Sequence, residues 1–174
     1  MKQTKFDKIK NFSTSISAEK TISEIERMLA MYGARKIMKE YDNFGNPIML
    51  VFSIVVPERG EIPVKVPCKV EKVKNVFKVQ VSDKKLPRKY GQDPFCTEQA
   101  YRVAWRIIKD WLHAQLTLLQ MEMVKVEEIF LPYMYSHKLG KTMFELIEER
   151  NFNIEMLEDK SMQKEKIIDA KVEE

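Results

Sequence analysis

The most regular hydrophobic pattern in the chain covers residues 93–120 and predicts one long amphipathic helix. Apolar residues recur there at the i, i+3, i+4, i+7 spacing that buries one face of a helix. These residues are Tyr101, Ala104, Trp105, Ile108, Trp111, Leu112, Leu116 and Leu119. Pro94 stands at the expected first helical position, which proline favours. We expect the rest of the fold to be organised around this helix.

The chain before the long helix predicts one helix and three strands. Thr21 with Glu24 forms a capping box, and a helical apolar period continues from there to Tyr32. Residues 35–41 and 48–56 then follow a strand period, with the turn residues Asp, Asn, Gly and Pro between them. These two strands form a predicted hairpin.

The second and third predicted strands occupy different places in the sheet. Both alternating sets of residues 48–56 are apolar, so this strand should be central and covered on both faces. The third strand, residues 62–66, carries Pro63 and is followed by Pro67, which places it at an edge. Residues 68–81 predict a short helix that runs into an extended piece. Residues 83–91 predict an exposed, mobile loop.

The remaining segments predict two further helices and a tail. A short helix over residues 126–131 ends at Pro132, and Thr142 with Glu145 is a second capping box that begins the last helix. A lead-in over residues 1–17 should dock through Ile9, Phe12 and Ile16. We predict an α+β fold, a small three-stranded antiparallel sheet packed on a long amphipathic helix, in the order α-β-β-β-(α)-α-α-α.

The domain organisation follows from the same pattern. Residues 1–150 form a single predicted α+β domain, and residues 151–174 form an acidic C-terminal tail or a marginal helix. No run of apolar residues is long enough for a membrane span, so a cytoplasmic chain without membrane contact is expected. Cys68 and Cys96 have no metal or redox spacing, and we interpret them as reduced, buried or incidental thiols.

Charge is distributed unevenly along the chain. Residues 65–89 contain nine basic and two acidic residues, a net charge of +7, whereas the whole chain carries only +4. On the long helix, Arg102, Arg106 and Lys109 lie in one row with His113, at spacings of three and four residues. This row is either a solvated face paired with Glu98 and Asp110 along the same helix, or a ridge that contacts phosphates.

Lysine and arginine contacts with phosphate give nucleic-acid binding that does not depend on sequence. The residues that we predict for such binding are Lys72, Lys74, Lys78, Lys84, Lys85, Arg88, Lys89, Arg102, Arg106 and Lys109.

Catalytic and metal chemistry has little support in the sequence. The two histidines, His113 and His137, belong to no triad signature, and the pattern contains neither a zinc nor a calcium motif. The scattered glycines form no phosphate-binding loop. We therefore predict a non-enzymatic protein without catalytic residues, metal ligands or a cofactor. Because the apolar face of the long helix exceeds what three strands easily cover, a homodimer is expected.

Two resemblances bear on function. The helix-strand-strand-strand-helix order is superficially similar to the double-stranded-RNA-binding domain, although Thr97, Glu98 and Gln99 stand where that family has a basic cluster. The stretches AYRVAWRIIKDWLHAQL, FLPYM and GKTMFELIE resemble small uncharacterised proteins encoded by bacteriophages and bacterial mobile elements. This resemblance implies an accessory protein and no particular chemistry.

Two functions are compatible with these features. The leading hypothesis is a nucleic-acid-binding accessory protein, with DNA or RNA as its partner. The alternative is a protein that binds a host protein, such as an anti-CRISPR-like inhibitor of a host defence nuclease, because an acidic surface such as residues 145–174 can occupy a nucleic-acid channel.

Overall fold

A computed structural model describes residues 8–56 and 60–152 and shows the α+β fold. Within these residues the helices are α1 (Ala18–Met31), α2 (Val70–Ser82), α3 (Phe95–Gln120), α4 (Val126–Phe130) and α5 (Met143–Glu149). The strands are β1 (Ile37–Tyr41), β2 (Pro47–Val56), β3 (Gly60–Pro67), β4 (Tyr135–Ser136) and β5 (Lys141–Thr142). Strands β1, β2 and β3 form an antiparallel sheet in that order, and β4 pairs with β5 in a small hairpin.

The central position of β2 and the edge position of β3 are both confirmed. One face of β2 packs its side chains, among them Leu50 and Phe52, into the main core. The opposite face is only partly covered, because Val51 is buried whereas Val55 is 48% exposed. The prediction that both faces of β2 are covered was therefore wrong for part of the strand.

Helix α3 is the structural centre of the molecule, as its pattern predicts. Trp105 is fully buried, and its indole Nε1 donates a hydrogen bond of 3.1 Å to the carbonyl oxygen of Pro47 at the start of β2. The side of α3 that begins with Trp111 packs against Phe130 of α4 and against Tyr133. Helices α1, α2 and α4 thus pack on the part of the apolar face of α3 that the three predicted strands could not cover alone.

Helix α1 begins three residues earlier than predicted. Its N-cap is Ser17, whose hydroxyl accepts a hydrogen bond of 3.2 Å from the N–H of Lys20. Thr21 is instead buried, and its hydroxyl donates to the carbonyl of Ser17. Ser17 and Thr21 are both candidate N-cap residues. Ser17 takes the cap, and Thr21 is buried within the helix. Gly33, just after the end of α1, has a φ of +88°, in the left-handed region that glycine favours.

The segment between the sheet and α3 is more ordered than predicted. Helix α2 continues to Ser82, so no extended piece follows it. Residues 83–91 are not a free loop, because Leu86 and Tyr90 are buried and a 3-10 helix spans Arg88–Gly91. The local pattern of Phe77, Val79 and Val81 imitates a strand, but a fully buried Phe77 on one helical face decides the outcome.

Further predictions concern the start of α3, the start of α5, the lead-in and the tail. Helix α3 begins at Phe95, with Pro94 as the capping residue rather than the first helical residue. The capping box of Thr142 and Glu145 is present at the start of α5. Ile9 and Phe12 pack against the core, as predicted for the lead-in, whereas Ile16 is half-buried and is not among the side chains packed against the core. The predicted acidic tail lies outside the described residues from residue 153 onward.

Candidate nucleic-acid interface

Helix α2 positions the first part of the candidate interface. Its buried side, which includes Val70 and Phe77, packs toward α3. Because helical residues turn by about 100° each, Lys72 and Lys78 lie about 120° apart, on the two flanks of the exposed side. Both lysines are exposed. The helix therefore presents cations to solvent along a distance of roughly 9 Å, six residues at about 1.5 Å each.

Tyr90 anchors the turn that follows α2. Its ring centroid lies 5.4 Å from that of Phe77, 5.2 Å from that of Phe95 and 5.9 Å from that of Phe12. The first two pairs are close to perpendicular, which is a favourable arrangement for aromatic rings. Tyr90 thereby fixes the turn between α2 and α3, and the basic residues on either side of it gain a defined position.

Gln80 gives this turn a second anchor. It is buried, its carbonyl oxygen accepts hydrogen bonds from the N–H groups of Lys85 and Leu86, and its side chain accepts one of 3.2 Å from Ile9. Lys84 occupies a left-handed conformation with a φ of +58°, which ends α2 and turns the chain. The hydrogen bonds of Gln80 and the packing of Tyr90 therefore fix the backbone of the basic turn.

We use the term basic surface for the exposed cations of α2 and its following turn. Its members are Lys72, Lys78, Lys84, Arg88 and Lys89. The Nζ of Lys89 lies 4.7 Å from the ring centroid of Phe95, a cation–π contact that leaves the ammonium exposed. Among the described residues, the other four take part in no ion pair. These positive charges are thus not cancelled within the described part of the chain.

Lys74 and Lys85 differ from the basic surface in their surroundings. The side chain of Lys74 is only 13% exposed, and its Nζ lies 3.3 Å from a Glu71 oxygen and 3.8 Å from an Asp93 oxygen. The hydrogen bond from Thr97 holds the pKa of Asp93 below its ordinary value, and the positive charges of Lys74 and Lys78 act in the same direction. Lys85 is half-buried. Lys74 therefore has a structural role at the junction of α2 and α3.

The cationic row on α3 faces other parts of the protein. Arg106 lies 3.1 Å from the Glu24 carboxylate on α1, and Lys109 contacts the same carboxylate. The hydrogen bond from Lys109, followed by the nearby charges of both cations, holds the pKa of Glu24 below its ordinary value. Arg102 pairs with Glu98, as the helical spacing predicts. This row is therefore largely neutralised by paired carboxylates.

The partner of Asp110 differs from the sequence expectation. Asp110 was expected to pair with Arg106, but its carboxylate instead lies 2.9 Å from Lys10 and accepts a hydrogen bond of 2.9 Å from Asn11. The local spacing alone suggests an i, i+4 pair. The contacts of Asp110 come from the N-terminal lead-in, about a hundred residues earlier in the chain. The contacts of Arg106 and Lys109 come from Glu24 on α1. Sequence reasoning missed the roles of Asn11 and Glu24 because both are distant in the chain.

The described residues offer few groups for catalysis. His113 and His137 are both exposed, on α3 and beyond β4 respectively. Within the described ranges, no group of three or more histidine, cysteine or carboxylate side chains is arranged to hold a metal ion. None of the helices described is long and apolar enough to cross a membrane. Cys68 and Cys96 are free and buried, as expected.

A cleft of about 300 Å³ lies at the N-terminal ends of α1 and α3, and Arg102 and Tyr101 line part of it. The hydroxyl of Tyr101 donates a hydrogen bond of 2.6 Å to Asp42 in the β1–β2 turn. This bond lowers the pKa of Asp42 to about 2, while burial and the nearby carboxylate raise the pKa of Tyr101. The pair ties the hairpin to α3, and no sequence motif had indicated it.

Comparison of the chain with protein-family models, with curated proteins and with solved structures finds no match.

Proposed function

We propose that this chain binds nucleic acid through the phosphate backbone, without reading base sequence, as an accessory protein of a phage or mobile element. The observation that carries the proposal is the contrast between two sets of cations. The basic surface has no internal ion pairs among the described residues, whereas the α3 row is paired with Glu24 and Glu98. Unpaired cations on a fixed backbone suit contacts with a polyanion.

The basic surface has a fixed backbone conformation, which supports this function. Buried Tyr90 and Gln80 hold the turn in place before any ligand arrives, so binding would cost less conformational entropy than binding by a loose loop. Lys89 lies over Phe95, so its side chain is also partly arranged in advance. The residues proposed to contact phosphate are therefore the basic surface alone. Lys74, Arg102, Arg106 and Lys109 are proposed to stabilise the fold around it.

Salt-dependent binding gives the test. Fluorescence anisotropy with labelled single-stranded DNA, duplex DNA and RNA should show binding whose logarithm falls linearly with the logarithm of salt concentration. Each phosphate contact contributes a slope of about −0.9 on duplex DNA and about −0.7 on single strands. Changing Lys72, Lys78, Lys84 and Arg88 to Gln together should reduce the slope on duplex DNA by about 3 to 4.

A matched control separates local contacts from total charge. Changing the exposed residues Lys20, Arg27, Lys125 and Lys138 to Gln removes the same charge elsewhere on the molecule. We expect this control to keep most of its salt slope. Equal loss in both variants would show only a general charge effect, and no binding by the original chain at low salt would refute the proposal.

A protein partner is the second candidate function, and one region favours it. Helix α5 buries none of its residues, and Phe144 on it is 43% exposed. Phe152, which contacts Phe144 at 5.9 Å between ring centroids, is 54% exposed. Exposed aromatic residues often anchor protein contacts. Changing Phe144 and Phe152 to Ser should abolish capture of a stoichiometric protein partner from nuclease-treated host lysate under this alternative.

A further inference from the structure

The two edges of the three-stranded sheet differ in their capacity to accept another strand. On β3, Pro63 and Pro67 lack N–H groups, and an isolated bridge joins Val64 to Met134 beside the β4–β5 hairpin. That edge is blocked by proline and by the chain itself. Strand β1 contains no proline, and among the described residues it pairs only with β2. Within the described part of the chain, the β1 edge is the one that remains open to another strand.

The pairing of β1 with β2 determines which groups face outward. Ser53 N–H donates to the carbonyl of Lys36 at 3.0 Å, and the register pairs Met38 with Val51. Because main-chain groups alternate sides along an antiparallel strand, the carbonyl of Lys36 and both main-chain groups of Met38 point toward β2. The N–H and C=O groups of Ile37 and Lys39 therefore point away from the sheet, where an added strand can bond to them.

We propose that a second copy of this chain docks on β1, as an antiparallel strand related by a two-fold axis that passes between the two Met38 residues. In this register Ile37 of one copy exchanges hydrogen bonds with Lys39 of the other. Lys36 of each copy then lies opposite Glu40 of the other. The two sheets join into one continuous six-stranded sheet.

Charge complementarity selects this register over its neighbours. Moving the two-fold axis by one residue toward Tyr41 places Lys39 opposite Lys39 of the second copy, and moving it by a further residue places Glu40 opposite Glu40. Like charges directly opposite each other destabilise an antiparallel pair, and opposite charges stabilise it. Only the proposed register sets a lysine against a glutamate on both sides of the axis and leaves the apolar pair in the middle.

The exposed side chains at the edge fit the same arrangement. Met38 is 52% exposed, although its neighbour Val51 is buried, so a second Met38 would cover an apolar strip that solvent now reaches. Glu40 is exposed and has no ion-pair partner among the described residues. The side chain of Lys36 is 76% exposed even though its Nζ lies 2.7 Å from a Glu61 oxygen. Because Glu61 lies on β3, the Lys36 side chain must turn back from the sheet toward the β1 edge to meet Glu40 of a second copy, and its exposure leaves room for that movement.

Charge reversal tests the pairing of Lys36 with Glu40. Sedimentation velocity of the full chain should show a dimer whose dissociation constant rises about tenfold in Lys36→Glu or in Glu40→Lys, because two symmetric pairs change sign in each variant. Mixing the two variants should restore dimers, since every reversed residue then meets its opposite. A monomer in the original chain, or a failure of the mixture to restore dimers, overturns the proposal.

Disulfide trapping tests the register without relying on charge. In the proposed register two Met38 residues form a non-hydrogen-bonded pair with Cα atoms about 4.5 Å apart, within disulfide range. Met38→Cys should therefore crosslink under mild oxidation, and the control Lys39→Cys should not. The native thiols do not interfere, because both are buried and burial raises the pKa of Cys68 to about 12. Crosslinking of Lys39→Cys alone would show the slipped register and refute ours.

Discussion

The packing of Tyr90 gives the most direct test of how the basic turn is held. Tyr90→Ala removes a side chain that is only 6% exposed and that contacts Phe12, Phe77 and Phe95. Removal of a buried aromatic ring costs about 3 to 5 kcal/mol, from lost transfer free energy and from the cavity left behind. For a chain of this size, 1 kcal/mol corresponds to a shift of about 2 to 4 °C in Tm. We therefore expect Tm to fall by about 6 to 20 °C.

Two companion variants assign the loss to the ring. Tyr90→Phe keeps all three aromatic contacts and should change the free energy of unfolding by less than about 0.5 kcal/mol, as neutral substitutions do. Tyr90→Leu keeps apolar volume but loses the edge-to-face geometry, which is worth about 0.5 to 1.5 kcal/mol for each aromatic pair. Urea unfolding followed by circular dichroism measures all three. A loss below about 1 kcal/mol in Tyr90→Ala would refute the anchoring role.

Three further changes probe other contacts. Trp105→Phe should cost about 1 to 3 kcal/mol in urea unfolding, because it leaves the buried carbonyl of Pro47 without its indole donor. Thr142→Ala should lower hydrogen-exchange protection across α5 by about 1 kcal/mol, since it removes an N-cap whose capping box also involves Glu145. Glu24→Gln should lose less than about 1 kcal/mol at neutral pH, because the contact is partly exposed. Since the folded-state pKa of Glu24 is depressed below 4.5, its contribution is present above pH 4.5 and disappears as pH falls further, so the two proteins should converge in strongly acidic solution. A difference that grows on acidification would contradict the assignment.

Local signals were sufficient for most secondary structure but not for the connection between α2 and α3. The position of α3 and the hairpin of β1 and β2 follow from hydrophobic period and turn residues, which act within a few positions along the chain. Residues 83–91 look polar and flexible by the same criteria. Their order depends on Tyr90 meeting Phe12, a contact that only the folded chain creates.

Some properties of the candidate site follow from local sequence, and others depend on residues that are distant in the chain. The positive charge of residues 65–89 is visible in the sequence, and Lys72, Lys78, Lys84, Arg88 and Lys89 are exposed as a predicted phosphate-binding set requires. Whether a cation is already paired can depend on carboxylates that lie far from it in sequence. Glu24 pairs with both Arg106 and Lys109 across 82 and 85 residues of sequence, and no spacing rule reports such pairs.

The N-terminal lead-in has a consequence for how the protein is made. The N–H of Ile9 donates a hydrogen bond to the side chain of Gln80, which lies 71 residues later. The carbonyl of Phe12 accepts a hydrogen bond from Gln99, which lies 87 residues later. During synthesis the lead-in leaves the ribosome before these partners and must wait for them, because folding proceeds as each segment emerges. The lead-in is thus translated well before it can reach its native contacts. Until the turn before α3 has emerged, Phe12 remains without its aromatic partner Tyr90.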